Sequence, residues 1–202
     1  MQELSIAIQE QAQALSLLEI IAVVTALMYL VLAIRQNIWC WLFAGTSTAI
    51  FIYLFLDARL YMQSVLNAFY LVMAVYGWTV WRAGQTENKE LPVVSWPLAT
   101  HGYAILAIVI VALINGYLLD SRTDAEHAYV DALIAWAAIW TTFLVARKVL
   151  ENWWYWLVID IASIFIYWSR DLQLTSMLFV VYVVMIPFGL ISWTRSRREA
   201  QA

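Results

Sequence analysis

In the stretch ENWWYWLVIDIASIFIYW, residues 151–168, a single carboxylate, Asp160, stands in an apolar run that opens with three tryptophans in four positions. If the run is helical, Asn152, Trp156, Asp160 and Ser163 fall at i, i+4, i+8 and i+11 and share one face, with Trp153 adding a further ring. A carboxylate near the middle of a membrane-spanning helix costs about 2.5–3.5 kcal/mol, so it turns toward the bundle interior or a watery cavity and marks a site. The alternative is a protonated acid, or one tied by hydrogen bonds to a neighbouring helix. Two other stretches offer matching faces: Gln63, Asn67 and Tyr70 at i, i+4 and i+7, and Trp41, Gly45 and Thr48 at the same spacing. Any one of these polar groups could serve an interhelical hydrogen bond. Together they describe a cavity with aromatic walls, amide donors and acceptors, and one acid. Such a cavity suits a small, flat, cationic solute, because ring faces attract a desolvated cation by about 2 kcal/mol and the carboxylate supplies the counter-charge.

The elements that must position these residues are membrane spans. Of 202 residues, 64% are hydrophobic and only 12% charged, and the mean hydropathy is +0.76; soluble domains run nearer half apolar and a quarter charged. The expected fold is an all-α integral membrane protein with seven transmembrane helices, over 17–34, 38–56, 60–81, 98–119, 128–146, 153–168 and 172–193. Residues 1–16 read as a polar surface helix; Glu3 and Glu10 ahead of the first span argue against a cleavable signal peptide. The loop AGQTENKELPVVSWP, 83–97, carries Gly, Asn and two prolines and reads as a linker between two halves. With the N-terminus outside, the inner segments hold Arg35, Arg82, Lys89, Arg147, Lys148, Arg195, Arg197 and Arg198, eight of the eleven basic residues, and the outer ones Arg59, Arg122 and Arg170. The positive-inside rule then places the C-terminus in the cytoplasm.

The two halves echo each other. The pattern Y-x6-G-x3-W occurs as Tyr70, Gly77, Trp81 and again as Tyr182, Gly189, Trp193, displaced by 112 residues; NIWCW (37–41) matches NWWYW (152–156) and IFIY recurs at 50–53 and 164–167, displaced by 115 and 114. A displacement of four helices is even, so both copies cross in one direction. That is a parallel three-plus-one-plus-three repeat of the SWEET-like kind. The expected units are a polar segment 1–16, a first three-helix repeat 17–82, a linker with connecting helix 83–127, a second repeat 128–195 and a cytoplasmic tail 196–202.

Other functions lack their parts. A retinal pump needs a Schiff-base lysine deep in a helix, whereas the two lysines, Lys89 and Lys148, fall in the linker and at a helix end. His101 and His127 lie at an interface and in a loop, and HExxH and GxSxG are both missing. No cofactor or metal site is expected, there is no basic run suited to nucleic acid, and the single Cys40 reads as apolar filler. Trp136, Trp140, Trp168 and Trp193 read as packing or interface anchors, and Asp131 as lining an entrance or simply solvated.

ARKVLENWWYWLVIDIASIFIYW, ARLYMQSVLNAFYLVMAVYGWTVW and the doubled Tyr…Gly…Trp pattern resemble the Pnu family of bacterial vitamin transporters, whose members carry nicotinamide riboside or thiamine. The resemblance implies a homotrimer in the bacterial inner membrane, a solute site within each protomer, facilitated diffusion, and trapping of the vitamin by a cytoplasmic kinase. Riboside carriers of that family tend to have Gln where Asn67 stands and Asn where Asp160 stands. A carboxylate suits the aminopyrimidine of thiamine, so thiamine is the expected solute, with nicotinamide riboside the alternative and a structural or sensory membrane protein a more distant one. The substrate-binding set expected is Trp41, Thr48, Gln63, Asn67, Tyr70, Asn152, Trp153, Trp156, Asp160 and Ser163.

Overall fold

A computed structural model describes residues 11, 13, 15–57, 61–85, 91–122 and 127–201. The expected surface helix over 1–16, Lys89 in the linker and Arg59 fall largely or wholly outside these. Among the described residues the elements are seven helices, α1 (Leu17–Ile34), α2 (Cys40–Asp57), α3 (Tyr61–Gln85), α4 (Leu98–Arg122), α5 (Ala128–Ala146), α6 (Asn152–Ser169) and α7 (Gln173–Glu199). At ~1.5 Å per residue, even the 18-residue α1 reaches about 27 Å, close to the thickness of a bilayer core. Six of the seven are long and apolar enough to cross a membrane. The exception is α6, whose four tryptophans, two tyrosines, Asn152 and Asp160 lower its hydropathy. Its outward residues Val158, Ile161 and Phe165 are nonetheless apolar and exposed, while Asn152, Asp160 and Ser163 are buried, an inside-out arrangement that lipid favours.

The helix ends are set locally. At the start of α1, Ser16 and Glu19 form a reciprocal capping box. Gln36, Lys148 and Asp171 adopt left-handed φ of 54°, 50° and 56° just past α1, α5 and α6. Each corner closes with the same two bonds, Gln36 N–H to Ala33 O with Asn37 N–H to Leu32 O, and Lys148 N–H to Val145 O with Val149 N–H to Leu144 O, the Schellman pattern.

Packing closes six helices into a ring. Around it α1 meets α2, α2 meets α3, α3 meets α5, α5 meets α6, α6 meets α7, and α7 returns to α1; the backbone of α4 lies against α5 alone, outside the ring. Opposite members are α1 and α5, α2 and α6, α3 and α7. The linker is pinned, since Val94 N–H donates to Lys148 O and Leu150 N–H to Val94 O. At the opposite end of α6, Gln11 bonds Asp171 O, the Gln173 side chain and Leu174 N–H, holding residue 11 to the α6–α7 corner.

Geometry recurs at an offset of 112. Trp41 and Trp81 meet edge to face at 5.5 Å and 87°; Trp153 and Trp193 do so at 5.5 Å and 88°. Ser64 Oγ donates to Ile52 O and Ser176 Oγ to Ile164 O. A Cβ on Gly77 would stand 2.3 Å from the Trp41 indole, and one on Gly189 2.4 Å from that of Trp153. The glycine of the Tyr…Gly…Trp pattern is therefore the niche for an indole, and the tryptophan one turn on is its edge-on neighbour. These pairs correct the displacements of 115 and 114 read from the NIWCW/NWWYW and IFIY strings. In a chain with 12 tryptophans, a string match can slip by two or three positions, whereas the glycine niche fixes which indole is equivalent.

Candidate functional site

Asp160 lies on α6 two turns beyond the niche of Trp153 and is only 4% exposed. Among the described residues its carboxylate makes no hydrogen bond and no ion pair. A buried acid so placed is costly unless it is protonated or a donor or cation completes it. Tyr182 of α7 is within electrostatic reach of Asp160. Tyr29 of α1 is within reach of both Tyr182 and Tyr70 of α3. The electrostatic neighbours thus run from Asp160 to Tyr182, from Tyr182 to Tyr29 and from Tyr29 to Tyr70, and Tyr182 packs on Phe179, which stacks on Tyr167.

The other expected residues are distributed as follows. Asn152 is fully buried; its Nδ2 donates to Val149 O at 2.6 Å, and its Oδ1 has no partner among the described residues. Ser163 is buried on the same face. Asn67 is buried and donates to Gln63 O in its own helix. Thr48 is half-buried and bonds Ala44 O and Gly45 O; at the 112-residue offset it is the counterpart of Asp160. Trp156 is half-buried against the core, and Tyr70 is half-buried. Gln63 is exposed near the start of α3, so the structure does not bring it to the others. Trp41 and Trp153 are both buried in their glycine niches, with Nε1 of each unpartnered among the described residues.

Sequence reasoning missed Tyr29 and Tyr182 as site residues. Tyr182 carried a signal, its place in the repeated pattern; Tyr29 shares a buried stripe of α1 with Ala22 and Ala33, a spacing too apolar to stand out. Outside this cluster, Asp131 is neither free nor an open entrance. Both its carboxylate oxygens accept from Arg170 Nη2 at 2.9 Å, tying the start of α5 to the end of α6. Trp193 is wholly buried and Trp168 exposed, as packing and lipid-facing residues respectively.

The chain matches the family described as Nicotinamide mononucleotide transporter over residues 16–195. Among similar proteins, the nicotinamide riboside transporter PnuC of Escherichia coli (strain K12) is 22% identical over 210 residues, covering 92% of this chain and 88% of that protein. The riboflavin/roseoflavin transporter RibM of Streptomyces davaonensis is 23% identical over 184 residues, covering 88% of this chain and 85% of that one. A crystal structure of the vitamin B3 transporter PnuC has the same fold, with a TM-score of 0.73 at 22% identity over 97% of this chain and 90% of that chain.

Proposed function

The chain belongs to the nicotinamide mononucleotide transporter family, and from that premise we propose that it carries a cationic, non-phosphorylated B-vitamin, nicotinamide riboside before any other, across the bacterial inner membrane. It is a multi-pass membrane transporter and not an enzyme. The observation that carries the solute reading is Asp160: a buried carboxylate with no partner among the described residues, with the Tyr182 phenol of α7 within electrostatic reach. Nicotinamide riboside offers a pyridinium charge for the acid, a flat ring for the aromatic faces, and ribose hydroxyls for the phenol oxygens and for amides such as Asn67 and Asn152. The mononucleotide would bring a phosphate toward the same carboxylate, and like charges in a poorly solvated site repel. Thiamine, the first expectation from Asn67 and Asp160, now takes second place, because the similar transporters are named for nicotinamide riboside and riboflavin.

The 112-residue offset and the facing of α1 with α5, α2 with α6 and α3 with α7 support the reading of two three-helix units, 17–82 and 128–195, that run in one direction and are joined through α4. The proposed orientation has the N-terminus outside and the C-terminus in the cytoplasm. Transport is by facilitated diffusion in a homotrimer, with a cytoplasmic vitamin kinase retaining the product.

Calorimetric titration of the purified protein with nicotinamide riboside, its mononucleotide, thiamine and riboflavin tests the reading. The riboside should bind tightest and the mononucleotide at least about tenfold more weakly, the equivalent of about one pKa unit of interaction. Tighter binding of thiamine or riboflavin would reassign the solute, and tighter binding of the mononucleotide would remove Asp160 as the counter-charge.

A further inference from the structure

We infer that the end of the ring holding the α1–α2 and α5–α6 corners is shut by a dedicated gate, a ladder of four tryptophans latched by the buried Lys148. The ladder runs Trp41, Trp81, Trp193, Trp153 across the full width of the ring, with centroid separations of 5.5, 6.5 and 5.5 Å. All four indoles are at most 3% exposed, as are Ala33, Cys40 and Ala146 around them, so at this level the bore is filled with side chains. Asp160 lies seven residues beyond Trp153, about 10 Å along α6. A solute held there is cut off from this end by the ladder.

The ladder has a weak rung. The outer pairs, Trp41 with Trp81 and Trp153 with Trp193, are seated edge to face and wedged against Gly77 and Gly189, so each belongs rigidly to one side. The central pair, Trp81 with Trp193, is the longest and tilted at 58°, and it joins the two sides. Bonds that cross between sides surround it: Trp81 Nε1 donates to Ala146 O at 3.1 Å, Trp193 Nε1 to Ala33 O at 3.0 Å, and Ser192 Oγ to Ile34 O at 2.8 Å.

Lys148 lies on this seam. Its ammonium sits 4.6 Å from the centre of the Trp81 ring and donates to Gln36 Oε1 at 3.1 Å, although the residue is only 3% exposed. Gln36 and Lys148 are counterparts at the 112-residue offset, with matching left-handed φ, so the bond between them joins equivalent points of the two corners. Desolvating an ammonium is costly, and a helix corner at the membrane end could have turned it outward to water. Its inward position, on an aromatic face and an amide of the opposite corner, holds the corners together. Opening this end means parting Trp81 from Trp193 and Lys148 from Gln36 and breaking the three hydrogen bonds that cross beside them, while the glycine-seated outer pairs stay with their own sides.

The single cysteine reports on the gate, since Cys40 is buried beside Trp41 and within electrostatic reach of Lys148. The protein in sealed vesicles of each orientation is treated with a membrane-impermeant maleimide, without any vitamin present. Cys40 of the parent should label slowly. Lys148→Gln, which keeps length and loses charge, and Gln36→Asn, which shortens the amide but tolerates the left-handed corner, should each label at least about tenfold faster, the loss expected for a desolvated cation–π or amide contact. The increase should occur only from the face that carries the C-terminus. Arg198→Gln, an exposed charge at that end, should label as the parent does. Parental rates in either variant that keeps the parent's melting temperature would overturn the latch, and so would an increase confined to the opposite face. A vitamin assignment that fails leaves this outcome unaffected.

Discussion

Asp160 was legible because a charge is conspicuous against an apolar background, and the structure adds what spacing could not show, that no described side chain neutralises it. Asp160→Asn keeps the shape and removes the charge. It should weaken nicotinamide riboside binding by at least about 1.4 kcal/mol, a tenfold loss, while the protein still purifies and melts as the parent does; unchanged affinity in calorimetry would make Asp160 a packing residue. Tyr29 was not legible, and Tyr182 only as a member of the repeated pattern, because tyrosine is common here, with 11 copies, and gathers at membrane interfaces whatever the function. Only the folded chain, which brings Tyr182 within electrostatic reach of Asp160 and Tyr29 within reach of Tyr182, gives these phenols a meaning. Trp41 and Trp153 show the reverse. Their type suggested a cavity wall, and their placement against Gly77 and Gly189 reveals an indole seated in a niche, something that only the partner helix can define.

At the scale of the helix, the spans were read to within a few residues, since a continuous apolar run bounded by turn residues leaves little choice. α1 and α5 fall on the expected 17–34 and 128–146, while α7 runs on to Glu199, past the apolar run that defined its span, because polar residues continue a helix once it emerges into water. What could not be read was register between helices, which depends on how an indole and a glycine meet across an interface. That register makes its own prediction. Gly77→Ala and Gly189→Ala should each destabilise the protein by about 1–3 kcal/mol or more, since a methyl in the niche must displace a buried indole, whereas Gly102→Ala, with open space around it, should be neutral or slightly stabilising. Melting temperatures in one detergent would check all three. Equal effects at the three positions would mean that the niche is not close-packed.

For the molecule as a whole, six helices surround a bore in which one acid sits about 10 Å from a closed end, and among the described residues the other buried side chains of α6 are apolar or bear uncharged polar groups. On the proposed facilitated-diffusion reading, the protein should equilibrate labelled nicotinamide riboside across proteoliposomes with no gradient imposed. A proton or sodium gradient should not raise the internal level above the external one; accumulation under either gradient would make Asp160 the coupling group. The ring closes without α4, whose backbone lies against α5 alone, with His101 reaching Tyr155 of α6 at 3.1 Å, and which supplies the single extra crossing between α3 and α5. Covalent continuity between α3 and α4 is then dispensable once the helices are in the membrane. Co-expressed fragments, one ending at residue 85 and the other beginning at residue 91, should find each other through the α3–α5 and α1–α7 seams and the paired indoles, co-purify, and restore uptake that neither fragment supports alone.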